Sequence, residues 1–263
     1  MAGVPQVLAP YVTELVAYAS DMGAPGIHRG LPSTTVTFVL TVGTPLDVGW
    51  ADGRQRAQRW ATVSGLHAGP AAIHHDGVQH GVQVGLTTAG ARALLGVPAV
   101  ELAGELLALD EVAPDLAHLP ERLHEVGPVE RARLVARALL AALGRHGEVA
   151  LRAEVGRALA GLTRGERVAD VAGEVGYSRR RLSTLVREET GLAPKEYQRV
   201  ARFQASRALM GRRPLAEVAA ECGYADQGHL ARDWSDLAGC PPSTWLREEF
   251  PFLRDLGAGA AAG

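Results

Sequence analysis

The decapeptide VADVAGEVGY at Val168–Tyr177 returns as LAEVAAECGY at Leu215–Tyr224, an offset of 47 residues. Further on, Leu182, Val186, Gly191, Pro194 and Tyr197 align with Leu230, Trp234, Gly239, Pro242 and Trp245 at an offset of 48. One residue has therefore been inserted in the second copy. Repetition at this period marks a supersecondary unit used twice, so the chain must fold to hold two equivalent small modules close together.

Each copy opens with apolar residues at helical spacing: Val168, Val171, Ala172 and Val175, then Leu215, Val218, Ala219 and Cys222. The small Ala172 and Ala219 admit a second helix at close range. Gly176 and Gly223 end these helices, since glycine tolerates the left-handed exit. Ser178 and Asp226 then offer side-chain oxygens to cap a following helix. Two helices joined through a tight glycine turn form a helix-turn-helix. Helical hairpins also build solenoids and ordinary all-α domains, so the residues on the exposed face decide between these readings.

In a DNA-binding helix-turn-helix the second helix enters the major groove with its N-terminal side chains leading. Leu182, Leu185 and Val186 point inward in the first copy, which leaves Arg180, Ser183 and Thr184 outward together. In the second, Leu230 and Trp234 point inward, and Gln227, Gly228, His229 and Arg232 share the outer face. Arginine suits guanine O6 and N7, and glutamine suits adenine N6 and N7. Arg179, Arg181, Arg187, Lys195, Arg199, Arg202 and Arg247 are placed as phosphate contacts, which position without reading sequence.

Over Val149 to Glu249 the chain resembles the DNA-binding domain of the AraC/XylS family of bacterial transcription regulators. The stretches VADVAGEVGYSRRRLSTLVREETGLAPKEYQRVARFQASRALM and PLAEVAAECGYADQGHLARDWSDLAGCPPSTWL carry the likeness, and GYADQGHLARDW is its most specific part. The resemblance implies seven helices with two helix-turn-helix units on a long connector, here Lys195 to Met210. It also implies base reading at the seven positions named above. Val186 replaces a usual phenylalanine, which concerns packing. Gly228 and Thr184 are weaker readers than the larger residues common there, which concentrates specificity on Arg180, Gln227, His229 and Arg232.

The first half reads differently. Short β-rich runs at Tyr11–Tyr18, Thr34–Val42, Leu46–Trp50, Arg59–Leu66, Ala71–His75 and Val82–Thr87 are separated by glycine and proline. They predict a small β-barrel or sandwich. Helices are expected at Ala89–Leu95, Val100–Leu109, Asp115–Val126 and Val129–Leu143, with a hinge at Gly144–Gly147. The predicted organisation is α+β in two domains. Residues 1–145 form a small β-barrel, cupin-like domain with helices. Residues 146–252 form an all-α seven-helix domain, and 253–263 a flexible tail. The HRGLPS, GLH…IHHDG and GVQVGLTTAGARALLGVP segments resemble the N-terminal domain of an actinobacterial AraC-like subgroup. That resemblance implies a sensor or dimerisation role.

Net charge is −2, so no global basic signal supports nucleic-acid binding. Residues 1–145 carry 10 basic and 13 acidic groups, and 146–263 carry 17 and 16. Affinity for DNA must come from local arrangement of charge. The only cysteines, Cys222 and Cys240, form no disulfide framework and no zinc pattern. With no secretory leader and no apolar run long enough to cross a bilayer, a cytoplasmic location without membrane partners is expected.

His67, His74, His75 and His80 lie close in sequence, but His74 and His75 would face opposite sides of a strand. The cupin H-x-H…E pattern is absent, and so are the G-x-S-x-G, P-loop and dinucleotide fingerprints. No metal, cofactor or catalytic residue is therefore expected. The rival enzyme reading is a metal-binding cupin-like domain with a helical docking module, and a second rival is a helical module that binds protein. His28 and Arg29 are the candidates for contact with a small anionic effector. The amphipathic helix from Val129 either packs on the barrel or pairs with a second subunit. The expected partners are double-stranded DNA, a small-molecule effector, RNA polymerase and a second copy of the chain.

Overall fold

The computed structural model describes residues 4–248; the expected tail and the last residues of the expected second domain lie outside the described residues. The architecture is α+β, with a strand-rich first half and a helical second half. Strands β1 (Val12–Asp21), β3 (Val36–Val42), β6 (Ala61–Ser64), β8 (Val78–Leu86) and β9 (Leu106–Ala108) form one antiparallel sheet in the order β1-β8-β3-β6-β9. Strands β2 (Gly26–Gly30), β4 (Leu46–Trp50), β5 (Ala57–Arg59) and β7 (Ala71–His75) form a second, in the order β2-β7-β4-β5.

Alternation explains how the first sheet sits. Val36, Phe38 and Leu40 of β3 and Val82, Val84 and Leu86 of β8 are fully buried on one face, which period-two patterning directs to a single side. On the second sheet Leu46, Val48, Trp50 and Ala71 meet Leu106 and Val39 of the first in a smaller cluster. The expected barrel is thus two open sheets. Strands β1 and β9 remain the edges of one, and β2 and β5 of the other. The three-residue β5 and β9 are too short to carry a ladder round to closure.

Several boundaries differ from the sequence reading. The run Arg59–Leu66 is broken by a bend at Trp60: its first residue ends β5 in one sheet, and Ala61–Ser64 form β6 in the other. The expected helix Val100–Leu109 is interrupted: α2 (Ala99–Leu102) and α3 (Leu109–Val112) flank β9, which pairs with β6. Helix α1 (Thr88–Gly90) runs into a π-turn at Ala91–Leu95, and α4 (Leu119–His124) is short. Helix α5 (Pro128–His146) extends through the expected hinge and ends at Gly147, whose φ is +81°. The connection to the second half is therefore 147–152.

Seven helices follow among the described residues: α6 (Ala153–Thr163), α7 (Val168–Glu174), α8 (Arg179–Thr190), α9 (Pro194–Leu209), α10 (Leu215–Glu221), α11 (Gln227–Ala238) and α12 (Pro242–Glu248). One hydrophobic cluster runs from Leu8 and the first sheet through α5 to Leu162, Phe203 and Trp234. The halves are also tied by polar contacts. Gln204 Oε1 accepts from the Thr34 amide and hydroxyl at 3.1 and 3.0 Å, and Arg92 reaches Glu189 at 3.4 Å.

Candidate nucleic-acid interface

The two repeats build the same turn. Gly176 and Gly223 both have φ of +73°. The next amide folds back on the preceding helix: Tyr177 donates to the Ala172 carbonyl at 2.8 Å, and Tyr224 to the Ala219 carbonyl at 2.9 Å. Ser178 Oγ then accepts from the Arg181 amide at 3.2 Å, and Asp226 Oδ1 from the His229 amide at 2.6 Å. These are N-caps, each satisfying an otherwise orphaned amide at the start of α8 and α11. Left-handed Gly191 and Gly239 close the same helices. Local sequence thus fixes both the angle and the length of each second helix.

Leu182, Leu185 and Val186 are buried under α8, which leaves Arg179, Arg180, Arg181, Thr184 and Arg187 exposed and Ser183 half-buried. A groove of about 730 Å³ runs along this face, lined by Arg167, Arg179, Arg180, Ser183, Arg187 and Lys195 among others, with no carboxylate in its wall. Among the described residues these five cations and Arg181 take part in no ion pair. Uncompensated positive charge in a concave wall favours an anionic partner. Arg167 escaped the sequence reading; it precedes α7, and only the fold brings it to the groove. Thr184 turns its hydroxyl back to the Arg180 carbonyl at 3.2 Å, which occupies its donor.

The second unit is built differently. Leu230, Trp234 and Leu237 bury the inner face of α11, and Trp234 Nε1 donates to Ser206 Oγ at 2.9 Å. Gln227, Gly228 and Arg232 are exposed and His229 half-buried. A Cβ at Gly228 would lie 3.2 Å from the capping Asp226 Oδ1, a tight approach, and in ordinary contact with Arg232 Nη1 at 3.5 Å. Asp233, only 7% exposed, accepts from Arg199 Nε at 2.8 Å and Arg202 Nη2 at 2.9 Å. Arg199 also reaches Asp236 at 2.5 Å, and Arg202 stacks 4.5 Å over the Tyr224 ring. Both arginines were expected on phosphates. In the structure their ion pairs brace α9 against α11. Arg247 likewise contacts Glu248 at 3.1 Å, on an exposed surface where such pairing is weak.

In the first half His28 and Arg29 sit on β2. Burial, with His75 beside it, pushes the His28 imidazole down to about 4, and its Nδ1 has no partner. Arg29 Nη1 spans to Glu248 at 3.1 Å, joining β2 to α12. The histidine group does not converge. His67 donates from Nδ1 to the Gly69 carbonyl at 2.7 Å and packs on Trp50. Burial holds it down to about 4, against the raising effect of that hydrogen bond. His74 and His75 are successive on β7, and His80 pairs across β1 with Ala19. No group of three or more metal-ligating side chains comes together among the described residues. No helix among them is long and apolar enough to cross a membrane.

Residues 171–248 match the helix-turn-helix domain family. Comparison with curated proteins gives no match. Among solved structures, ToxT from Vibrio cholerae is similar with a TM-score of 0.57 at 13% identity, over 90% of this chain and 99% of that one. ToxT from strain SCE256 with an unsaturated fatty acid bound gives 0.53 at 12% identity, over 89% of this chain and 95% of that one. At these identities the likeness is one of fold, and it spans both halves of the molecule.

Proposed function

From the helix-turn-helix family match over residues 171–248 and the two-domain fold shared with ToxT, we propose that the protein is an AraC-type, sequence-specific transcription regulator. The observation that carries this reading is the pair of equivalent capped helices, the first bordering a groove walled by five cations and no carboxylate. Each recognition helix enters a major-groove segment. Arg180 and Ser183, with a minor part for Thr184, address bases in the first. Gln227, His229 and Arg232 address them in the second, with Gly228 a weaker position that has no side chain to offer. Arg167, Arg179, Arg181, Arg187 and Lys195 grip phosphates. Arg199 and Arg202 hold α11 in place.

The first half, residues 1–145, serves as the sensor. ToxT has been seen with a fatty acid bound, and a small effector for this chain fits the same arrangement. His28 and Arg29 are its contacts, and the Arg29–Glu248 pair gives such a ligand a path to α12. An effector that binds one domain arrangement better shifts the population competent for DNA. RNA polymerase and a second copy of the chain are further partners in this reading, and the cytoplasm is its place of action.

The test is footprinting of the full chain on DNA recovered by selection from a random pool, across a salt series. Protection of two successive major-groove segments about one helical turn apart is expected, with affinity falling steeply as salt rises. Retention of no sequence at any salt would refute the reading.

A further inference from the structure

We propose that His229 reads a guanine in the major groove, as a hydrogen-bond donor whose tautomer is fixed by the turn that precedes it. The proposal rests on the DNA-binding reading above and names what one position of the second unit recognises. It starts from the residue by which the second repeat exceeds the first. Ala225 is that extra residue, between Tyr224 and the cap Asp226. Its amide donates to His229 Nδ1 at 3.3 Å. The Tyr224 ring stands edge-on to the imidazole with centroids 5.2 Å apart, and the His229 amide is itself held by Asp226 at 2.6 Å. Backbone and side chain of His229 are thus anchored by three neighbours.

An amide N–H can only donate, so Nδ1 must present its lone pair. In a neutral imidazole the hydrogen then resides on Nε2. That assignment comes from the hydrogen-bond network. Among the described residues nothing accepts from Nε2. His229 is half-buried, and Gln227 and Arg232 on either side of it in the sequence of α11 are exposed. The His229 ring therefore offers a donor at a fixed place, its own acceptor nitrogen being taken up by Ala225.

Of the four bases, guanine alone offers two adjacent acceptors in the major groove, N7 and O6. Adenine pairs its N7 with the N6 donor, cytosine offers the N4 donor, and thymine a single O4 beside a methyl group. A lone N–H can pair with either acceptor of guanine without facing an amino group, whereas adenine N7 and thymine O4 are single acceptors beside an amino and a methyl group, so guanine is the expected preference among the three. The first repeat has no such device. Arg181 occupies the equivalent place, and Ser178 caps it without a return contact to the turn.

A role as a mere cap predicts something different, and the experiment separates the two. On the selected operator, single base-pair scans are compared for the full-length wild type, His229→Ala and His229→Gln. We expect His229→Ala to lose about tenfold at one G·C pair in the second half-site and to flatten preference there alone. His229→Gln, whose amide supplies both an acceptor for Ala225 and a donor for the base, should recover part of that loss. Replacing that guanine by 7-deazaguanine should weaken the wild type and leave His229→Ala unaffected. Equal losses for all sequences, an unchanged scan, or flattening at a base other than guanine would overturn the proposal. A chain that still footprints through Arg180 in that case keeps the DNA-binding reading; a chain that selects no DNA loses both.

Discussion

The two helix-turn-helix units share a backbone and differ in what their charges do. Their turns have the same glycine φ and equivalent caps, and glycines close both second helices. Around α8, however, six cations have no ionic partner among the described residues. Around α11, Arg199 and Arg202 are bound to Asp233, and Arg213 reaches Glu221 at 2.7 Å. Arg232, the one arginine of α11, takes part in no ion pair among the described residues. The same scaffold thus carries unpaired positive charge around its second helix in one copy and a near-neutral, internally braced second helix in the other. Burying a carboxylate between two arginines costs desolvation. In return it fixes α11 against α9, which in the proposed reading would hold Gln227, His229 and Arg232 in one register on the bases.

The largest effect expected from this contrast belongs to Asp233→Ala. It leaves two guanidiniums, each about a third exposed, without their shared carboxylate. Breaking a buried pair costs about 3–5 kcal/mol, and partial exposure of the arginines brings the expectation to about 2–3 kcal/mol of stability. Chemical denaturation checks it. A loss below about 0.5 kcal/mol would mean that the brace is solvated, and the contrast between units would weaken. Next comes Arg180→Ala, expected to cost about 1–3 kcal/mol on the operator and to relax one base pair. Equal loss on random DNA would make Arg180 a phosphate contact.

Salt dependence sharpens the comparison further. Arg187→Ala and Lys195→Ala should each reduce the slope of log affinity against log salt by about one unit. Arg199→Ala should leave that slope unchanged while lowering thermal stability, because its charge is spent on Asp233 and Asp236. A reduced slope for Arg199→Ala would return it to the phosphate set and place α9 at the DNA surface.

How much of this was legible in the sequence follows from the range of the interactions involved. The helix-turn-helix units were readable because periodicity, turn glycine and cap lie within about twenty consecutive residues. Strands β4 and β7 were readable by the same local logic, and their bounds match the expected runs. Strand β2 was not, because GIHRG has no alternation of its own and becomes a strand only by pairing with β7. Strand β9, with the sequence LLA, sat inside a helix-like pattern and was claimed by β6. The ion pairs of Arg199 and Arg202 were not legible for the same reason. Their partner lies on another helix, 34 and 31 residues along the chain, and an arginine on an amphipathic helix looks alike whether it faces phosphate or a buried aspartate.

The smallest expected effect tests what the two units have in common. Gly176 and Gly223 have the same φ, and a Cβ at either would meet nothing within 4 Å. Replacement by alanine therefore adds no clash with neighbouring groups and isolates the cost of the left-handed backbone, about 1 kcal/mol. Gly176→Ala and Gly223→Ala should destabilise the chain by equal amounts, whatever the charges nearby. Denaturation of the two variants side by side decides the matter. Equal losses would assign the turn to the scaffold and leave the difference between the units to side-chain electrostatics. Unequal losses would mean that the residue inserted at Ala225 also relaxes the second turn, and the two copies would then differ in backbone energetics as well as in charge.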